Sequence, residues 1–156
     1  MDFDEKSLPK PLAQLYAYWQ AKCGGRLMPS RTDINPVEMQ AFLPHTMLID
    51  VITADKNDIR FRTRLIGTHV VNGFGGEFTG KYLDDIELGD QRDSLIEACL
   101  YTVRKKKPAY LAGDLVRQPS AEHISYQRLG VPLSTDGENV NMILVAASVQ
   151  RGPNPF

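Results

Sequence analysis

Residues Arg60–Ile86 read RFRTRLIGTHVVNGFGGEFTGKYLDDI. The first part alternates, with Phe61, Thr63 and Leu65 on one side of a strand and Arg60, Arg62 and Arg64 on the other. The alternation stops at Gly67. Gly73, Gly75, Gly76 and Gly80 follow, and so many glycines do not sustain regular structure, because glycine loses the most conformational freedom on ordering. Thr68–Asn72 has room for one helical turn, and Thr79–Leu83 for another. Such a segment is expected to wrap over a sheet face and leave space beneath it, with Phe74, Phe78, Tyr82 and Leu83 pointing inward.

The flanks supply the rest of a sheet. His45–Thr53 (HTMLIDVIT) is apolar in both parities over Met47–Ile52, so both of its faces are expected to be covered. The polar loop ADKND joins it to a strand over Ile59–Thr68, as in a hairpin. Downstream, Asp90–Lys106 is expected to be the longest helix, capped by Asp90 and closed by basic residues before Pro108. Leu95, Cys99, Thr102 and Val103 share one face of it. Strands are expected over Ala109–Arg117, His123–Ser134 and Val140–Val149, with turns at Pro119–Glu122 and Thr135–Asn139. The last strand, VNMILVAASV, is nearly all apolar, which places it at the sheet centre.

Upstream, Ser7–Gly24 reads as a helix with Ser7 as its cap and Pro9 and Pro11 in its first turn. Leu12, Leu15, Tyr16, Trp19 and Cys23 fall on one face. That face packs on the body of its own domain, on a second subunit, or on both. Gly25–Asn35 reads as a connection. A short helix then starts at Asn35, with Pro36 in its first position and Glu38 reaching back as in a capping box, and stops at Leu43-Pro44. The expected fold is α+β: one five-stranded antiparallel sheet, helices on one face and the N-terminal helix on the other. The expected boundaries are 1–25 for the amphipathic helix, 26–150 for the domain and 151–156 for a frayed tail.

Composition limits the function. At 156 residues the chain is one domain with a real core. The formal net charge is −1, so nucleic acid is not the expected partner. The basic run Arg104–Lys107 reads as a solvated helix end. Cys23 and Cys99 match no metal or redox spacing. The acidic N-terminus MDFDEKS is no secretory signal, and no apolar run approaches the roughly 20 residues that cross a bilayer. These features point to the cytoplasm.

The order of two strands, a helical crossover and three strands resembles the PAS fold. The local likeness is tighter. The helix with its Trp, then RLMPSRTDINPVEM, LPHTMLIDV and FRTRLIGTHVVNGFGGEFTGKYLDD, looks like a PAS-like family of small, stand-alone, mostly alphaproteobacterial proteins. It covers roughly Leu12 to Val149. The resemblance implies strand order 2-1-5-4-3. It also implies a sensory or interaction module of signal transduction, which holds a small ligand under its crossover, dimerises through the N-terminal helix, or does both. A histidine kinase or response regulator is the partner it implies, with a homodimer as the assembly.

The chemistry legible in the residues is sparse. His45, His69 and His123 lack metal spacing. Asp84-Asp85 reads as part of a turn, and the glycines at 73–76 make a poor phosphate cradle. No enzyme is expected, and a small enzyme on this scaffold is the remote alternative. Cys99 reads as a small buried hydrophobe outside the Asn-Cys-Arg context of flavin photosensors. The long helix has no His of the kind that haem-binding members use. Neither flavin nor haem is expected, and an unidentified organic ligand is. Its expected wall is Phe61, Leu65, Phe74, Phe78, Tyr82, Cys99, Tyr110 and Tyr126, and the competing reading is a solid core. Leu12, Leu15, Tyr16, Trp19, Arg62 and Arg64 are the expected partner or dimer surface. The three arginines either pair with Asp50, Glu122 or Asp114 or meet an acidic partner. A ligand-free dimerisation adaptor is the alternative function.

Overall fold

The structure, a computed structural model, describes residues 1–55, 57–117 and 122–153. Its strands are β1 (Thr46–Asp55), β2 (Asp58–Ile66), β3 (Ala109–Arg117), β4 (Glu122–Leu133) and β5 (Met142–Pro153). They form one antiparallel sheet in the order β2-β1-β5-β4-β3. The expected α+β fold and strand order are therefore observed. Helices α1 (Lys10–Cys23), α2 (Thr68–Phe74) and α3 (Gln91–Lys105) and several 3-10 turns complete it.

Central position explains the composition of β5. Ile143 and Val145 pack under the crossover with Ile49, Phe61 and Cys99. Leu144 and Ala146 face the other way, onto Leu12, Leu15 and Trp19 of α1. Trp19 also uses its polar edge: Nε1 donates to the Pro132 carbonyl at 2.9 Å, deep in the interface. A buried indole N–H needs such a partner.

Several local expectations are corrected. Ser7 does not cap α1; it belongs to a 3-10 turn over Glu5–Ser7 and its hydroxyl donates to Asp4. The helix starts after Pro9 and ends at Gly24 in the left-handed conformation. The capping box lies at Ser30 and Asp33, around a 3-10 turn in the stretch read as plain connection. Asn35 does cap the next turn, accepting from the Val37 N–H, but Glu38 pairs with Lys22 and accepts from Tyr18 instead. Asp90 makes no side-chain cap on α3. Strand β5 runs to Pro153, beyond the expected end at Val149. Residues 119–121 of the expected turn and 154–156 of the tail lie outside the described residues.

A bulge in β2 has the largest consequence. Leu48 pairs with Leu65 and Ile49 pairs with Thr63, so Arg64 is an extra residue. The alternation slips by one at that point. Phe61 and Thr63 face the crossover and are buried, while Leu65 turns to the opposite face and is 56% exposed.

Candidate functional site

The crossover leaves a partly open cavity of about 60 Å³ against the sheet. Its floor comes from Met47, Ile49, Thr63, Ile66, Val145 and Ala147 of the strands. Its roof is Val70 and Phe74 of α2, Phe78, Leu83, Ile86 and Leu88 of the cover, and Leu95 and Cys99 of α3. Tyr126 and Arg128 enter from β4.

The cover is pinned at one end. Thr63 donates its N–H to the Lys81 carbonyl at 2.9 Å and accepts from the Gly80 N–H at 2.7 Å. Its hydroxyl donates to the carbonyls of Phe78 and Lys81. Gly75, at φ +73°, ends α2, and Gly80, at φ +87°, makes the turn before the pinned residues. Glycine suits both positions because left-handed backbone costs other residues energy. The glycine cluster therefore supplies two turns in an anchored strap.

Four of the expected wall residues, Phe74, Phe78, Cys99 and Tyr126, do line the cavity. Phe61 packs in the same cluster without lining it. Three are elsewhere. Leu65 is on the other face because of the bulge. Tyr110 also faces the α1 side, beside Phe3, with its hydroxyl on Gln127. Tyr82 is a platform for Arg60, whose guanidinium lies 3.8 Å from the ring centroid while bonding Asp84.

The expected partner surface is also redistributed. Leu12, Leu15 and Trp19 are buried in the chain's own core and offer nothing to a second subunit. Tyr16 is half-buried, stacked beside Trp19 and edge-on to Phe3. Arg62 and Arg64 both bond Asp50 across the β1–β2 pair and keep much of their surface in solvent. Arg60 pairs with Asp84 and Asp85, so the cationic face is neutralised from within.

The polar groups at the cavity are unusual. Tyr126 donates to Gln91 Oε1 at 2.7 Å, in space that a side chain at Gly113 would fill. Burial pushes this phenol up to about 12, against the pull of Arg128 and with help from Asp90 and Asp114. Burial likewise pushes the Cys99 thiol up, and Arg128 opposes it. Arg128 itself is only 4% exposed. The sequence reading missed it. The available signal was an arginine at an inward position of β4, two residues from Tyr126 on the same face.

The structure also brings together two histidines that the sequence left isolated. The rings of His45 and His69 lie 3.9 Å apart between centroids. Strand β1 pairs with β5 only as far as Ala146. Beyond that point the side chains continue the ladder. His45 Nδ1 bonds the Ala147 carbonyl at 3.2 Å, and His69 Nε2 accepts from the Val149 N–H at 3.1 Å. Burial, and then the nearby His45, hold His69 below the ordinary imidazole value. Both rings thus have a structural task. His123 lies 3.0 Å from Asp114 on the edge pair β3–β4.

Sheet order and helical crossover together define an α+β domain with the PAS arrangement. The family model described as PAS domain matches residues 8–146. The chain belongs to the PAS family. No curated protein matches it. PAS domains are in general sensory and signalling modules, typically without catalysis, and commonly act with kinases and as dimers. No helix among the described residues is long and apolar enough to cross a membrane.

Proposed function

We propose that this chain is a sensory module whose crossover cavity takes a small, largely apolar ligand and whose occupancy is passed on through protein contacts. The observation that carries this is the apolar-walled space under Phe74 and Phe78. A well-packed interior leaves few voids, so a retained one at this position is a binding site in the making. The anchored strap fits the output step. A ligand that displaces Phe78 pulls on Thr63, and Thr63 sits on β2 between Arg62 and Arg64, at the sheet edge. A kinase or response regulator that reads this edge is the partner that family membership favours.

Mass spectrometry of purified protein, native and then denatured, tests the reading directly, with thermal shift against a metabolite panel beside it. A released small molecule or a saturable rise in Tm is expected. A bare mass and no shift across the panel would remove the ligand from the proposal.

A second reading, a ligand-free dimerisation adaptor, is favoured by one feature. Leu43 and Leu65 are exposed along one apolar groove beside β2, with Val37 exposed nearby. Light scattering after size exclusion separates the readings: a dimer dispersed by Leu65→Asp, together with an unliganded mass, favours the adaptor.

A further inference from the structure

Arg128 is the least expected group in the cavity wall. Its guanidinium has five N–H donors and a fixed charge. Among the described residues it has two polar contacts, the Ala109 carbonyl at 3.2 Å and the Cys99 sulfur at 3.8 Å. The first takes one donor, and a thiol sulfur is a weak acceptor. No carboxylate among the described residues lies within ion-pair distance of it, although Asp50 serves two arginines at the far side of the sheet. A buried charge is costly unless it is paired.

The chain makes room for this charge. A Cβ at Gly130 would stand 2.6 Å from an Arg128 terminal nitrogen, so glycine there leaves the space the guanidinium occupies. Most of the remaining wall is hydrocarbon, including Ile49, Phe74, Phe78, Leu95 and Val145, and the Thr63 hydroxyl is committed to the strap carbonyls. Tyr126 is already committed to Gln91. An apolar chamber with one uncompensated guanidinium selects an apolar molecule with one anionic end, and a carboxylate matches the planar fork of arginine.

We propose that the ligand is a small apolar monocarboxylate, with its carboxylate on the Arg128 guanidinium and its tail among Phe74, Phe78 and Leu95. This rests on the reading of the cavity as a ligand site and gives that ligand its chemical class. The present space of about 60 Å³ is well below the roughly 150 Å³ that accepts benzene in an apolar cavity. A compact tail therefore fits as the cavity stands, and a longer one displaces Phe74 or Phe78.

The test compares acids with neutral molecules of the same shape. Full-length protein is titrated by calorimetry with the straight-chain series from acetate to octanoate and with benzoate, and in parallel with the corresponding amides. Saturable binding of at least one acid is expected, with its amide about tenfold to a hundredfold weaker. Arg128→Met should erase the preference, and Leu95→Trp should fill the chamber and weaken acid and amide together. If Arg128→Met does not fold, the acid–amide comparison in wild type and in Leu95→Trp decides. Equal binding of acid and amide, or an acid affinity unchanged in folded Arg128→Met or in Leu95→Trp, overturns the assignment. The ligand-site reading has a separate fate. If no acid binds but a neutral metabolite does, Arg128 is a structural cation and the cavity is still a ligand site. If nothing binds to the folded protein, both fail.

Discussion

Asp50 accepts from Arg62 and from Arg64 at 3.2 Å each, and its own side chain is 7% exposed while both arginines reach solvent. One buried carboxylate thus holds two half-exposed cations. The asymmetry makes the arginines redundant. Arg62→Gln or Arg64→Gln alone should cost under about 1 kcal/mol, because the other cation stays. The double variant leaves a buried charge unpaired and should cost about 3–5 kcal/mol. Urea unfolding of the four proteins measures this, and simple additivity would show that Asp50 does not organise the pair.

The bulge at Arg64 assigns opposite fates to two residues of equal parity. Phe61 is buried under the crossover and Leu65 is in solvent. Phe61→Ala should cost about 3–5 kcal/mol. Leu65→Ser should stay within about 0.5 kcal/mol of wild type. Comparable losses at both sites would mean that the alternation continues unbroken.

Gly73 sits in α2 against β5, and a Cβ there would come 2.6 Å from the Val149 side chain. Alanine is the better helix former by about 1 kcal/mol, but overpacking costs about 1–3 kcal/mol. The contact includes the Val149 Cβ, so Gly73→Ala should destabilise the wild type and stabilise a Val149→Gly background. A change of the same sign in both backgrounds would place α2 further from the sheet.

His69 accepts from the Val149 N–H, with the tilted His45 ring beside it. Its value in the folded state is depressed, first by burial and then by His45. Above the ordinary imidazole value of about 6.5 both states are neutral and this contribution is fully present. As the pH falls below that, the unfolded chain binds the proton first and stability is lost, until the folded ring protonates as well. His69→Gln keeps an acceptor without a titration. Chemical denaturation between pH 7.5 and pH 5, about 2.5 units across the imidazole range, should show a steeper loss in wild type than in this variant, and parallel curves would dismiss the role.

Much of this domain follows from pattern. The apolar run of β5 put that strand at the centre because a strand covered on both faces cannot alternate. The amphipathic stripe of α1 named Leu12, Leu15 and Trp19 as a packed face, but periodicity does not say what a face packs against, and it packs on its own sheet. Phe74 and Phe78 were legible as cavity wall because the glycines around them break the helix and strand periods at once.

The stretch Arg60–Ile86 shows where sequence reasoning ends. By itself it determined a strand, a break and an irregular cover, since alternation and glycine content act locally. Its Leu65 was misplaced because one extra residue in a strand pair is a property of the pairing, invisible in either strand alone. Tyr82 was misplaced because Arg60 and the Asp84 turn meet it only when the chain folds back. The charged residue of the cavity wall, Arg128, lies outside the stretch altogether. Whether an arginine in a strand is solvated, paired with a carboxylate or left facing an apolar chamber depends on which elements close over it. That depends on contacts between residues far apart in the chain, and only the tertiary structure sets them.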